Sequence, residues 1–464
     1  MNAAVLRLGL GVGLCLAVLY TIAPLPVLVV AAAVVVFAAG LRDLPADERR
    51  ALTALLTIAV ALRLLAVAAM FFRYLPYHYD GWLGELSGDG AYGVSRALRT
   101  RDLLLGVPTN KYDGFVVTDT YGANLFVSLV TVLTVLFGPV PYGLRLLNIL
   151  MFVTGALVMF RIARRAYGWL PAAMALTFVL FLPSFFAWSI SLLKEPLYFL
   201  LTAIFLAGAS GSLRSGSIAR RVASGAVAVA ALAAMDGVRH QTWQLGLLGW
   251  GIALVLVIVL SRPRVYLPMV AAGVAVFVVA AWPRIGPAGL HALEETAKIH
   301  TGHVMTLGHE YKLLDPGFYY LFQNASTSTM TLTYDEAARY VLRALTAFIV
   351  VPLPWQMASI RELAIMPEQL LWYALVAMCP IGMVAGWRRD APATAVLVGY
   401  LLTTGLVIAL TNGNVGTLVR LRGIVTIIVV WISAVGLCSA LEAVLSRAPR
   451  SVAPWRAIRP EAAS

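Results

Sequence analysis

Charge is scarce in this chain. Asp, Glu, Lys and Arg make up 12% of its 464 residues, about half of the roughly 25% usual in soluble domains. That excludes a soluble globular protein of this length. Cysteine is nearly absent. Cys15, Cys379 and Cys438 all fall inside apolar stretches, which excludes a disulfide framework and predicts three buried thiols. Acids are outnumbered by bases, leaving a formal charge of +13. The excess forms no nucleic-acid-binding patch. It sits in short arginine clusters between apolar runs, the positive-inside pattern of membrane proteins. No tandem repeat is present, and the only biased segment is a polar, Pro-containing tail over 446–464.

What the chain has in quantity is apolar sequence. Fourteen segments can be marked: 5–20, 22–40, 51–72, 122–137, 142–160, 169–187, 196–210, 222–235, 243–260, 266–282, 340–354, 370–386, 391–411 and 423–445. A run near 20 residues can cross a bilayer as a helix. The runs do not alternate apolar with polar, which excludes a barrel. The predicted fold is therefore all-α, a single polytopic transmembrane domain over 1–464. The first run has one early arginine and no clear cleavage site, so it is expected to be a retained helix.

The arginines set the orientation. Arg42, Arg49 and Arg50, then Arg161, Arg164 and Arg165, Arg214, Arg220 and Arg221, Arg262 and Arg264, Arg388 and Arg389, and the tail mark the cytoplasmic side. Simple alternation then fails twice. It is restored if 122–137, which ends at Phe-Gly-Pro-Val-Pro-Tyr-Gly, and 340–354, which precedes Val-Pro-Leu-Pro-Trp, are re-entrant or interfacial helices on the outer side. The expectation is 12 crossings with both termini cytoplasmic. Residues 73–121 become the first outer loop, 283–338 a large outer loop, and 446–464 a cytoplasmic tail.

This orientation gathers the unusual polar residues on the outer face. In the first outer loop Glu85 and Asp89 are four residues apart, in Glu-Leu-Ser-Gly-Asp-Gly-Ala-Tyr-Gly. The sequence after Asp89 can form a helix with an apolar face, placing Asp89 near its positive end. An ionised carboxylate there can take a proton from a hydroxyl or bind a metal; it equally reads as a helix cap. Lys194-Glu195-Pro196 opens another helix, either as a second functional acid or as a cap beside a surface lysine. Asp236, Arg239 and His240 form a polar knot, either paired within a tight loop or offering Arg239 to an anion. Arg420 and Arg422 lie in a turn beside the last apolar segment. Outer membrane-edge arginines need an anionic partner, a lipid phosphate or a carboxylate such as Glu195. In 283–338, His300 and His303 at i, i+3 could belong to a zinc site; the favoured reading is a solvated amphipathic helix lying on the bilayer.

Three pieces, spread over 80–425, carry a resemblance. They are GDGAYGVSRAL in an outer loop, followed by LFGPVPYGLRLLN and the basic turn RIARRAYG; KEPLYFLL at a later outer helix start; and NVGTLVRLRG late in the chain. In this order they resemble polytopic, lipid-phosphosugar-dependent glycosyltransferases of the GT-C type, the group of the protein O-mannosyltransferases and the lipid A aminoarabinose transferase. The resemblance implies that Asp89 is the first-loop base or metal ligand and Glu195 the second outer acid. The group usually has Asp at the second position, which puts a divalent metal shared by Asp89 and Glu195 in doubt. It implies that Arg420 and Arg422, helped by Lys194 or Arg239, contact a donor phosphate, with Glu85, Asp236 and His240 as accessory groups. The large soluble C-terminal domain of some members has no counterpart here, so 283–338 and the outer loops are expected to bind the acceptor.

The implied function is transfer of a sugar from a polyprenyl phosphate to a lipid, glycan or protein acceptor, with inversion, at the outer face of a bacterial inner membrane. The rivals are a lipid-linked glycan flippase and a polymerase or ligase of the O-antigen type. A flippase often shows internal repeats and ionisable residues near the midplane; no repeat is evident, and the acids cluster at one face.

Overall fold

The structure is a computed structural model of the whole chain. The residues described are 11–15, 17, 18, 20, 21, 23–74, 88–108, 110, 111, 114, 117, 124–214, 216–304, 310–319, 331–356 and 360–447. They form helices and connecting turns, with no strand among them and one isolated bridge between Glu310 and Asn414.

Counting from the first helix described end to end, the order is α1 Pro24–Leu41, α2 Ala46–Tyr74, α3 Gly88–Leu104, α4 Leu125–Phe137, α5 Pro141–Tyr167, α6 Trp169–Phe181, α7 Pro183–Ile190 and α8 Glu195–Leu213. It continues with α9 Ile218–Val238, α10 Thr242–Ser261, α11 Pro263–Val304, α12 Tyr334–Val350, α13 Ile360–Arg389, α14 Ala391–Thr411 and α15 Val415–Arg447. Local chemistry sets many of the boundaries. Proline stands in the first turn of α1, α5, α7, α8 and α14, where its missing N–H costs nothing. Ser217, Thr333 and Asp390 accept N–H groups at the starts of α9, α12 and α14. Gly168, with φ +94°, separates α5 from α6.

Among the described residues, ten helices are long and apolar enough to cross a membrane. They become eleven when α6 and α7, bent by 61° at Leu182, are taken as one broken span. The chain is an integral membrane protein. The segment 122–137 yields only the 13-residue α4, about 20 Å long against a hydrocarbon core of about 30 Å. The segment 340–354 overlaps the end of α12, which carries Asp335, Glu336, Arg339 and Arg343 and is not among the apolar spans. Both segments set aside by the arginine pattern therefore fail by length or charge. Half of segment 5–20 lies outside the described residues.

Two expectations are corrected. Helix α11 runs 42 residues without a break through Pro268, Pro283 and Pro287, so residues 283–304 extend a span instead of lying on the bilayer as a separate helix. Its end is not solvated either. His300 is fully buried; its Nδ1–H donates to the Asn412 carbonyl (2.6 Å) and Nε2 accepts from the Tyr319 hydroxyl (2.9 Å). His303 donates to the Thr411 carbonyl (2.7 Å). These imidazoles tie α11 to the end of α14, next to a second small core that includes Leu313, Leu314 and Tyr340. No three His, Cys, Asp or Glu side chains among the described residues come close enough to hold a metal. Second, Cys379 and Cys438 are buried thiols, but Cys15 is exposed on the protein surface.

More than half of the apolar window is buried in α5, α8, α14 and α15, and under a third in the other six unbroken spans. These four form the centre, and the remaining helices face outward. Close crossings use small residues, as membrane helices do. A Cβ on Gly208 would lie 2.7 Å from the Ser224 backbone oxygen, and one on Gly423 would lie 2.4 Å from the Trp188 ring.

Contacts sort the helix ends into two groups. At one end Arg164 pairs with Glu48 (2.6 Å), Arg214 with Asp390 (2.6 Å) and Arg389 with Glu442 (3.0 Å), while Arg161 donates to the Arg42 carbonyl (2.6 Å). This arginine-rich end holds the ends of α1, α5, α8, α13 and α15 and the starts of α2 and α14. The opposite end holds the starts of α3, α8 and α15 and the end of α9. Helix α8 alone, at 19 residues, separates the two ends by about 28 Å.

Candidate active site

The site at the second end is built on a turn. Helix α7 stops at Ile190, and Ser191–Lys194 leads into α8. Two polar side chains of the central helix α5 fix that turn. Arg145 donates to the Ile190 carbonyl (2.7 Å), and the Asn148 amide donates to the carbonyls of Ser191 (2.6 Å) and Leu193 (2.9 Å). Pro196 then starts the helix, so Glu195 is presented from a rigid element in its first turn.

Glu195 is buried, and Oε1 accepts from Nη2 of Arg239 at 2.9 Å. Arg239 caps the end of α9, with its guanidinium 5.6 Å from the centre of the Tyr198 ring. Among the described residues, neither the second carboxylate oxygen of Glu195 nor Nε of Arg239 has a hydrogen-bond partner, although both atoms are buried. Asp89, in the first turn of α3, pairs with Arg420 in α15, 331 positions away in sequence. Lys194 lies near enough to both pairs to feel their charges. Burial pushes its ammonium below the ordinary lysine value of 10.5, Arg239 pushes it the same way, Glu195 opposes, and Arg420 and Asp89 act more weakly.

Five ionisable groups from four stretches of chain thus meet: Asp89, Lys194, Glu195, Arg239 and Arg420. Three are cations and two are anions. Each carboxylate already holds a guanidinium, and the balance is positive. This donor set does not fit a divalent metal shared by Asp89 and Glu195; it fits an added anion, with guanidinium and ammonium groups to bind it. Beneath Glu195, a seam between α5, α7, α8 and α15 is lined by Trp188, Tyr198, Phe199, Ile424 and Ile428. Its enclosed space is about 10 Å³, room for one water.

The other sequence candidates lie elsewhere. Arg422 is two residues beyond Arg420 on a continuous helix, about 200° around its axis. It is buried over the Trp372 ring (4.7 Å), donating to Val351 (2.7 Å) and Phe348 (3.3 Å) carbonyls and to Gln369. It joins α15 to α12 and α13 and takes no part in the cluster. Its expected place rested on reading 412–422 as a turn, but α15 begins at Val415, eight residues before the apolar run. Asp236 accepts the Trp243 backbone N–H (3.5 Å) at the start of α10, and His240 is exposed. Among the described residues no hydrogen bond or ion pair joins either to the cluster. Glu85 lies outside the described residues.

Arg145 and Asn148 were missed in the sequence, as was Arg63. Their signal was available: each is a polar or charged residue inside an apolar segment, where such residues are costly and need partners. No protein-family model matches the chain, and no curated protein matches it.

Proposed function

We propose that the protein is a membrane glycosyltransferase that moves a sugar from a polyprenyl-phosphate donor to a hydroxyl acceptor. The observation that carries this reading is the convergence of Asp89, Lys194, Glu195, Arg239 and Arg420 at the end of the bundle opposite the arginine clusters. By the positive-inside preference that end is non-cytoplasmic, the side of the membrane on which the donor's sugar is used. Charged groups held on rigid central helices in a half-dry setting suit a phosphate that gains charge as it leaves.

The step balances as a single displacement. The donor phosphate is held by Lys194, Arg239 and Arg420. In taking Arg420, it releases the Asp89 carboxylate, the more exposed of the two acids. Asp89 accepts the acceptor's hydroxyl proton as the acceptor oxygen bonds to the anomeric carbon. The bond from that carbon to the phosphate oxygen breaks, and polyprenyl phosphate leaves with its added negative charge on the three cations. The anomeric configuration inverts. Glu195 stays buried and orients Arg239.

The test is transfer from radiolabelled polyprenyl-phosphate sugars by the purified protein. Asp89→Asn should lower turnover by about 10²-fold or more, with its melting temperature near that of the wild type because the replaced pair is partly exposed. A well-folded Asp89→Asn protein with full turnover would remove the base from this scheme. Lipid-linked glycan crossing liposomes with no bond made would instead favour a flippase.

A further inference from the structure

A large cavity lies at the arginine-rich end, away from this cluster. It encloses about 730 Å³ between α1, α5, α8 and α9, within the roughly 300–1,000 Å³ of small-molecule sites. One part of its wall is apolar, from Val36, Leu157, Val158 and Ile162; its rim carries Arg161, Arg164, Arg165 and Arg214. The three arginines of α5 are spaced i, i+3, i+4 and share a face. Two of the four are neutralised, Arg164 by Glu48 and Arg214 by Asp390. Arg161 spends one N–H group on the Arg42 carbonyl, and no carboxylate among the described residues pairs with it or with Arg165. The one acid on the rim, Asp43, already faces Arg42 at 3.8 Å. Ser210, Ser224 and Thr154 add hydroxyls to the wall.

We propose that this cavity binds an anionic phospholipid, with its phosphate on Arg161 and Arg165 and an acyl chain along α1 and α5. Two uncompensated guanidiniums call for a negative headgroup. The apolar wall below them calls for a hydrocarbon chain, which a free phosphate lacks. The site lies at the opposite end of α8 from Glu195, and the proposal does not depend on sugar transfer.

The experiment is thermal unfolding of the full-length protein in a neutral detergent. Phosphatidylglycerol, phosphatidylcholine, glycerol phosphate and inorganic phosphate are each added separately. Phosphatidylglycerol alone should raise the melting temperature, by about 2 °C or more. The shift should vanish in Arg161→Gln/Arg165→Gln and in Val158→Trp, which puts bulk into the cavity. It should persist in Arg220→Gln/Arg221→Gln, arginines of the same end that do not line it. An equal shift from phosphatidylcholine, or from either soluble phosphate, overturns the proposal; so does an undiminished shift in the Arg161→Gln/Arg165→Gln protein. If those variants do not fold, cross-linking of a photoreactive phosphatidylglycerol to the wild type decides. Labelled peptides from 36–43, 154–165, 207–214 or around Ser224, which line the cavity, support the site, and labelling only elsewhere rejects it.

Discussion

At the scale of single residues, Lys194 makes the sharpest prediction. Burial and Arg239 hold its folded pKa below the ordinary 10.5. Between that lowered value and 10.5 the folded protein binds fewer protons than the unfolded chain, so Lys194 makes stability rise with pH across that window. A bound phosphate acts the other way, because it favours the ammonium. Binding should therefore take up a proton, and affinity for polyprenyl phosphate should fall as pH rises through the window. Calorimetric titrations across that range would measure this, and Lys194→Met should bind more weakly with a flatter profile. A steep profile retained in Lys194→Met would assign the titration to another group. Asn148 illustrates the opposite kind of residue, one that touches no charge of the cluster but holds the turn beneath it. Asn148→Leu leaves two buried carbonyls, of Ser191 and Leu193, without a donor, at about 1–3 kcal/mol each. The melting temperature should fall and turnover with it, whereas the wild-type melting temperature in Asn148→Leu would mean that the turn holds itself.

At the scale of elements, hydropathy marks where helices cross but not where they begin or bend. Among the described residues every span lies on an apolar run, because burial in lipid demands about 20 apolar residues, but two runs, 122–137 and 340–354, give no span. Helix starts were less evenly legible: the acid and proline announced α8 at Glu195, but nothing announced α15 at Val415. The opening of α15, Val-Gly-Thr-Leu-Val-Arg-Leu-Arg, interrupts the apolar run with two arginines, so Arg420 and Arg422 read as a turn when they stand on nearly opposite sides of a helix. The extension of α11 was hidden in the same way, since prolines and charges after Trp282 mimic a loop. Glu195, Arg239 and Arg420 were legible because they sit beside the ends of apolar runs, and Asp89 because it stands in the first polar loop; Arg145, Asn148 and Arg63 carried a signal as polar residues within apolar runs, but their partners are distant in sequence. Arg63 is fully buried and holds the broken span together. It donates to Ser189 in α7 (2.7 Å) and to the Leu180 carbonyl at the end of α6 (2.8 Å), with the Phe152 and Phe186 rings at 5.3 and 4.9 Å. A cation suits the negative end of a helix. Lysine lacks the fork that reaches both partners, so Arg63→Lys should destabilise the protein almost as much as Arg63→Met. An Arg63→Lys melting curve that overlays the wild type would show that charge alone suffices.

At the scale of the whole molecule, the functional reading depends on which way the bundle faces. Nothing in the packing fixes direction; the arginines do, through the preference for cytoplasmic Lys and Arg in short loops. The proposed phosphate cluster and the arginine-rich cavity lie at opposite ends, so one measurement of sidedness constrains both. The native thiols can be replaced by alanine, after which single cysteines report on each end. His240→Cys, exposed beside Arg239, should react with a membrane-impermeant maleimide in intact cells. Ser217→Cys, exposed at the start of α9 beside Arg220 and Arg221, should react only after lysis. These two positions bracket α9, so the pair of results reads one full crossing. The reverse pattern would put Asp89, Glu195 and Arg420 in the cytoplasm, where soluble nucleotide sugars are at hand and a polyprenyl-phosphate donor would no longer be required. The cluster would still be an anion site, but the case for a lipid-linked sugar would lapse. The phospholipid cavity would then face the outer leaflet, and its arginines would be the costly exception to the charge rule.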